Sequence, residues 1–332
     1  MWTGHRFVAV GLLGQSTVAL DSTDGSTWHS GSPFGRDAAV RALAARADGS
    51  VVAVGTSGHR PAIWHSADGV SWTEGVNPAS PRSIASSTIH VTGAVAMDSG
   101  WLAVGREDPA CQVDCGVEPS RALAWTSPDG RRWAAVSEQP SLRPGGMNVV
   151  TRAPFGYLAA GVADRGPAIW TSTDGLRWSR AGDVPTPPST DPSTWVTIVA
   201  ASASPDVAVC VADSLGLGPG GAPVILAWSS TNGGAWQPAV LAGANPVLRQ
   251  SVVWTADGWL VAGERWRGEL NWALVAWGSV DGRVWRAMST ESQAAMFVPT
   301  TVAASAAIEV AIGLADVGAL APADALWWRT AR

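Results

Sequence analysis

The hydrophobic positions of this chain come in short bursts. Runs of small apolar residues end in Gly and are set off by Gly, Asp and Pro: Phe7-Val8-Ala9-Val10-Gly11, Val51-Val52-Ala53-Val54-Gly55, Trp101-Leu102-Ala103-Val104-Gly105, Tyr157-Leu158-Ala159-Ala160-Gly161 and Trp259-Leu260-Val261-Ala262-Gly263. Two weaker forms, Val207 to Val211 and Glu309 to Gly313, bring the number to seven. Short apolar runs bounded by turn formers predict strands. No window carries a sustained 3.6-residue apolar period with caps, so helix is expected to be nearly absent.

Downstream of these runs a second phrase recurs: Trp, a polar turn built on Asp-Gly, and another Trp eight residues after the first. The pairs are Trp64 and Trp72, Trp125 and Trp133, Trp170 and Trp178, Trp228 and Trp236, and Trp277 and Trp285; a first copy ends at Trp28 with Leu20 in the leading slot. Its turns begin at Asp24, Asp68, Asp129, Asp174, Asn232 and Asp281, spaced 44 to 61 residues apart. Asp-Gly between two strands is a hairpin signal, because Gly accepts positive φ and the Asp side chain bonds the nearby backbone. The two Trp residues then stand on adjacent antiparallel strands, where aromatic pairs stabilise the sheet. Each keeps one ring donor that wants a partner, and the seam between neighbouring sheets is expected to supply it. Asn232 keeps the turn-forming acceptor but cannot act as an acid. These positions therefore read as structural.

Calling the Gly-ending run strand B, a further apolar run precedes each B except the first (strand A). The leading Trp lies on strand C and the second Trp opens strand D. The tally is 26 strands. A strand-rich unit recurring about every 40–50 residues marks a propeller or an array, and radial four-stranded blades leave only short edges. The expected fold is all-β, a seven-bladed β-propeller of four-stranded antiparallel blades in one domain, residues 1–332, with six blades as the alternative count. The first blade lacks its innermost strand and the last its outermost, so either the chain starts inside blade one or these two blades are three-stranded.

The phrase Ser-x-Asp-Gly-x-x-Trp resembles the Asp-box, or bacterial neuraminidase repeat, of sialidase-like propellers, with one residue fewer between Asp and Trp than that family's usual pattern. The resemblance covers nearly the whole chain through its repeats. It implies turns on the C–D hairpins, at the periphery and away from the ligand face. It leaves activity open, since both enzymes and binding proteins carry the repeat. A sialidase also uses an Arg triad, a Tyr paired with Glu, and an acid Asp. The single Tyr here, Tyr157, fills the slot that Trp101 and Trp259 fill in sister repeats, and no Phe-Arg-Ile-Pro motif occurs.

Composition narrows the function classes. Net charge is −5 and no basic stripe exists, so the electrostatic footprint of nucleic-acid binding is missing. No long uncharged apolar run predicts a membrane span, and the N-terminus reads as no signal peptide. Among the 3 cysteines, Cys111 and Cys115 share the loop from Arg106 to Arg121. No second close pair completes a zinc set, so a local disulfide is expected, which favours export and an extracellular or cell-surface location. Cys210 reads as a small buried hydrophobe. The spacing Gly216, Gly218, Gly221 contains Pro219 and leads into a strand, which excludes a dinucleotide loop. The 5 His residues share no metal-ligand spacing. Neither cofactor nor metal is expected, and the chain reads as a monomer.

Any ligand is expected where the B–C and D–A connections share one face around the channel. Candidates there are Arg106, Glu107 and Asp108; Asp164 and Arg165; Glu264, Arg265, Trp266, Arg267 and Glu269; and His59 and Arg60. The bland alternative is a solvated loop surface. An Arg fork could grip a carboxylate, and Trp266 could stack on a sugar ring. The expected function is a non-catalytic, exported module binding a glycan or another exported protein. The alternative is a sialidase-like glycoside hydrolase using two carboxylates about 5–10 Å apart at the channel mouth.

Overall fold

The computed structural model describes residues 1–13, 16–76, 87–109, 120–164, 166–182, 184–187, 194–215, 217, 224–241, 247–266, 272–288, 297–304, 308–316 and 322–330. Within them the chain is all-β apart from one short 3-10 turn, Pro140–Leu142. Seven antiparallel sheets follow one another in chain order, each a simple meander. The first contains β1 (Phe7–Leu13), β2 (Ser16–Ser22) and β3 (His29–Gly35); the second, β4 (Ala38–Ala45), β5 (Val51–Ser57), β6 (Arg60–Ser66) and β7 (Thr73–Glu74). The third contains β8 (Ser87–Met97), β9 (Gly100–Pro109), β10 (Arg121–Ser127) and β11 (Ala134–Ala135); the fourth, β12 (Gly146–Ala153), β13 (Gly156–Ala163), β14 (Gly166–Ser172) and β15 (Ser179–Arg180). The fifth contains β16 (Trp195–Ala203), β17 (Ala208–Leu215), β18 (Ile225–Ser230) and β19 (Gln237–Leu241). The sixth contains β20 (Val247–Thr255), β21 (Gly258–Trp266), β22 (Trp272–Ser279) and β23 (Arg286–Met288); the seventh, β24 (Phe297–Ala304), β25 (Ile308–Asp316) and β26 (Pro322–Thr330). This is the sheet pattern of a β-propeller.

The first and last sheets have three strands each among the described residues, and they lack the strands that the sequence leaves out. Trp2 bridges Phe7, and the Val8 N–H donates to Met1 O at 2.8 Å, so a short stub stands beside β1 where strand A stands in other sheets. The chain divides into two compact units, one holding the first four sheets and the other the last three.

The polar turn has one geometry in all six copies. The Ser hydroxyl accepts the Gly N–H at 2.8–2.9 Å, from Ser22 to Gly25 through Ser279 to Gly282. The Asp (or Asn232) Oδ1 accepts the next two backbone N–H groups; Asp174 takes those of Leu176 and Arg177 at 2.8 Å each. The turn glycines sit at φ 71–79°, a region hostile to a Cβ. In Asp24, Asp129, Asp174 and Asp281 these backbone donors hold the carboxyl below the usual range. In Asp68 burial pushes upward and the donors outweigh it. The turn carboxylates are thus engaged by their own backbone.

The Gly that ends strand B has a different reason. A Cβ on Gly105 would stand 1.9 Å from His90 O, and one on Gly55 2.0 Å from Ala39 O. Strand A bulges at this point, with the register shifting between Val40 and Ala42 and between Val91 and Gly93. The bulge pushes a carbonyl onto strand B, and only glycine leaves it room.

Leading tryptophans Trp64, Trp125, Trp170, Trp228 and Trp277 are fully buried between sheets. Trp170 donates to Ser141 O at 2.7 Å and Trp228 to Pro185 O at 2.6 Å, both on the segment entering their own sheet. The trailing ones behave otherwise. Trp28, Trp133, Trp178 and Trp236 donate at 3.1 Å to the Gly carbonyl of their own turn, and Trp28, Trp72, Trp133 and Trp285 are only half-buried. In Trp28, Trp133, Trp178 and Trp236 the donor is satisfied locally, whereas the sequence places it in the seam; those of Trp72 and Trp285 have no partner among the described residues. In three seams the residue after the turn Gly also offers its backbone carbonyl to the preceding sheet. Val70 O accepts from Ser32 N, Arg131 O from Val76 N, and Leu176 O from the Gln139 side chain. Apolar clusters join sheets one and two, two and three, three and four, and five and six.

Candidate functional site

Strand β9 runs past Gly105 to Pro109, so Arg106, Glu107 and Asp108 lie on a strand rather than in the expected loop. Alternation then sends neighbours to opposite faces. Glu107 points inward and is 2 % exposed. It accepts from Arg121 Nε and from the Ser87 hydroxyl. Glu138 lies 3.7 Å from Arg121 NH1 and pairs closely with Arg143. A buried pair of this kind positions strands β9 and β10 against each other, and Glu107 is turned away from solvent.

Arg106 and Asp108 point the other way and remain about one-third exposed. Arg106 Nε donates to Asp108 Oδ2 at 2.8 Å, and its NH1 donates to Asn148 Oδ1 at 2.9 Å on strand A of the fourth sheet. The Ser120 hydroxyl donates to Asp108 Oδ1 at 2.8 Å. His90, opposite Arg106 on β8, places Nε2 3.4 Å from Asp108 Oδ2. Burial holds His90 below the usual imidazole range; the fields of Arg106 and Arg41 reinforce this and Asp108 opposes it. The imidazole is therefore neutral at pH 7. Packing fixes the Arg106 stem over Gly146, where a Cβ would come within 2.8 Å of Cδ.

The result is a half-buried row of His90, Asp108, Arg106 and Asn148 in set orientations at the ends of two adjoining sheets. A carboxylate held by Arg and Ser donors acts as an acceptor. Arg and Asn add donors and the neutral His adds either, the inventory that hydroxyl-rich ligands require. Sequence reasoning found Arg106 and Asp108 but missed the roles of His90 and Asn148, which stand as single polar residues in strand A with no motif around them.

The other candidates are dispersed. Asp164 is exposed in a left-handed turn, φ 56°, between β13 and β14. Glu264, Arg265 and Trp266 fall on β21, with side chains outside the described residues, as are Arg165, Arg267 and Glu269 altogether. His59 and Arg60 border the β5–β6 turn and are exposed. Cys111 and Cys115 also lie outside the described residues, while Cys210 is a buried free thiol whose pKa burial raises well above the usual range. Among the described residues no group of three or more His, Cys, Asp or Glu could hold a metal, and no helix is long and apolar enough to cross a membrane.

No family model and no curated protein matches the chain. Many solved structures do. An α-L-arabinanase of Penicillium chrysogenum complexed with arabinobiose is 11% identical, with a TM-score of 0.53 over 82% of this chain and 88% of that one. YCF48 bound to D1 peptide is 17% identical, at 0.54 over 93% and 86%. A virginiamycin B lyase of Staphylococcus aureus is 9% identical, at 0.55 over 94% of each. At such identities the likeness is one of fold, and the shared fold is the β-propeller.

Proposed function

We propose that this chain is a single-domain, exported β-propeller whose seven sheets close as blades of one ring, and that it binds a carbohydrate where the B–C connections emerge. The observation that carries the ligand class is the preset row of His90, Asp108, Arg106 and Asn148. Its donors and acceptors are fixed in the folded chain, so sugar hydroxyls meet them without further ordering of the side chains. In this reading the five Ser-x-Asp-Gly turns and the Ser230-Thr231-Asn232-Gly233 variant are Asp-box elements of a sialidase-like superfamily, placed at the opposite end of the blades. Arg106 and Asp108 are the first contacts. Asp164, Arg165, Glu264, Arg265, Trp266 and Arg267 are further candidates on the same face, and Glu107 braces β9 against β10 through Arg121. The protein acts as a monomer, and Cys111 and Cys115 staple their loop.

A second reading is glycoside hydrolysis, favoured by the arabinose-chain hydrolases among the structural neighbours. It needs a second carboxylate facing Asp108 across an open pocket. A glycan-array screen combined with a turnover assay on arabino-oligosaccharides separates the two. Saturable binding that Arg106→Ala and Asp108→Asn each weaken at least tenfold, without turnover, supports the binding module. Turnover abolished by Asp108→Asn supports the hydrolase. Glycan binding unchanged in both variants overturns the site.

A further inference from the structure

The bulge of strand A recurs at a fixed place in sheets two, three and four. A Cβ on Gly55 would meet Ala39 O at 2.0 Å, one on Gly105 would meet His90 O at 1.9 Å, and one on Gly161 would meet Gly146 O at 2.1 Å. Ala39, His90 and Gly146 are therefore equivalent positions on β4, β8 and β12. Two residues after them stand Arg41, Thr92 and Asn148. Arg41 and Thr92 are the extra residues of their bulges: Val40 pairs with Gly55 and Ala42 with Val54, as Val91 pairs with Gly105 and Gly93 with Val104. A residue left out of the ladder in this way has its side chain re-aimed by the local kink.

The three equivalent residues are used differently. Thr92 spends its hydroxyl on Met147 O at 2.7 Å. Asn148 accepts from Arg106 NH1 at 2.9 Å and so belongs to the polar row. Arg41 holds the matching place one sheet before His90. It is exposed, and among the described residues it joins no ion pair. Its charge still reaches the row: burial lowers the His90 pKa first, Arg106 adds to this, Asp108 opposes it, and the field of Arg41 lowers it further. Asp108 answers Arg106 at 2.8 Å and His90 is neutral at pH 7, so the guanidinium of Arg41 is left uncompensated. Packed sheets stand about 10 Å apart, which makes the path from Arg41 to Asn148, two sheets on, about 20 Å. That path is much longer than one sugar ring.

We propose that Arg41 is a further ligand contact, and that the site takes an oligosaccharide chain bearing a carboxylate where it passes Arg41. The proposal rests on the carbohydrate reading and narrows it. A planar guanidinium forks onto a carboxylate with two parallel hydrogen bonds. The hydroxyls of the following sugars then meet His90, Asp108, Arg106 and Asn148. A neutral chain makes only the second set of contacts, and a single acidic sugar makes only one set or the other.

The test is calorimetric titration of the full chain with tetragalacturonate, with galacturonate itself and with a neutral arabino-oligosaccharide of equal length. The acidic tetramer is expected to bind at least tenfold more tightly than either, with an advantage over the neutral chain that shrinks as salt rises. Arg41→Gln should remove that advantage. Arg132→Gln makes the same change of charge on the exposed turn of the third sheet and should retain it. A second measurement needs no ligand: in an NMR titration the His90 pKa should rise in Arg41→Gln, because a nearby cation is gone, and should stay put in Arg132→Gln. Equal binding of acidic and neutral chains, an advantage that survives Arg41→Gln, a monomer as tight as the tetramer, or an unmoved His90 titration overturns the proposal and leaves the carbohydrate reading standing. Loss of all glycan binding on the array overturns both.

Discussion

Ser172→Ala isolates what holds the polar turn. The Ser172 hydroxyl accepts the buried N–H of Gly175 at 2.8 Å and donates to Asp174 Oδ1 at 3.1 Å. Alanine fits the space, so neither strain nor a sizeable void follows. The Gly175 N–H loses its acceptor where water does not replace it, which costs about 1–3 kcal/mol. The bond to Asp174 adds little, because that carboxylate is exposed. A loss of about 2 kcal/mol is expected. Thr173→Ala is the control: it lies in the same turn, exposed, and should stay within about 0.5 kcal/mol of the parent. Urea unfolding followed by circular dichroism, read on the transition of the unit holding the first four sheets, gives both numbers, with the slope unchanged. If Ser172→Ala costs no more than Thr173→Ala, the hydroxyl does not hold the turn and the account of all six turns fails.

Gly105→Ala should cost about 3 kcal/mol or more, read by the same unfolding curves, since its Cβ would lie 1.9 Å from a carbonyl that the bulge fixes in place. Trp178→Phe should cost about 1 kcal/mol more than Trp72→Phe, because the Trp178 ring donor bonds Gly175 O while that of Trp72 has no partner. Arg121→Met strands the buried Glu107 carboxylate and should cost about 3–5 kcal/mol, most of it recovered in the double variant Arg121→Met, Glu107→Leu. The turn carboxylates are held below their unfolded values, so their contribution is complete at neutral pH and disappears as pH falls below about 4. Urea midpoints at pH 7 and 3 should therefore converge when Asp129, Asp174 and Asp281 are all changed to Asn.

The strands were legible because each obeys a local rule: apolar run, Asp-Gly turn, paired Trp. Even the open first and last sheets show in the sequence, since strands A and D are countable. The candidate site was legible only in part. The run Arg106-Glu107-Asp108 reads as loop by composition, yet β9 carries it as strand, and alternation buries the middle residue against Arg121. Nothing local reveals that Arg121, 14 residues later, is its partner. His90 and Asn148 join Arg106 through strand pairing and the neighbouring sheet, relations that a linear pattern does not encode. The trailing Trp donors were misplaced for the opposite reason: their acceptor is nearer than the seam, three residues back at the turn glycine.

Val70, Arg131 and Leu176 share no chemistry in their side chains, yet each hands the same main-chain oxygen to the sheet before it. An attachment written in peptide groups is indifferent to mutation at the residue that makes it. The Ser, Asp and Gly that aim the oxygen are tied down, while the side chain of the residue that carries it can drift and the joint survives. A chain jointed this way can keep its architecture long after resemblance to its relatives has faded from the letters.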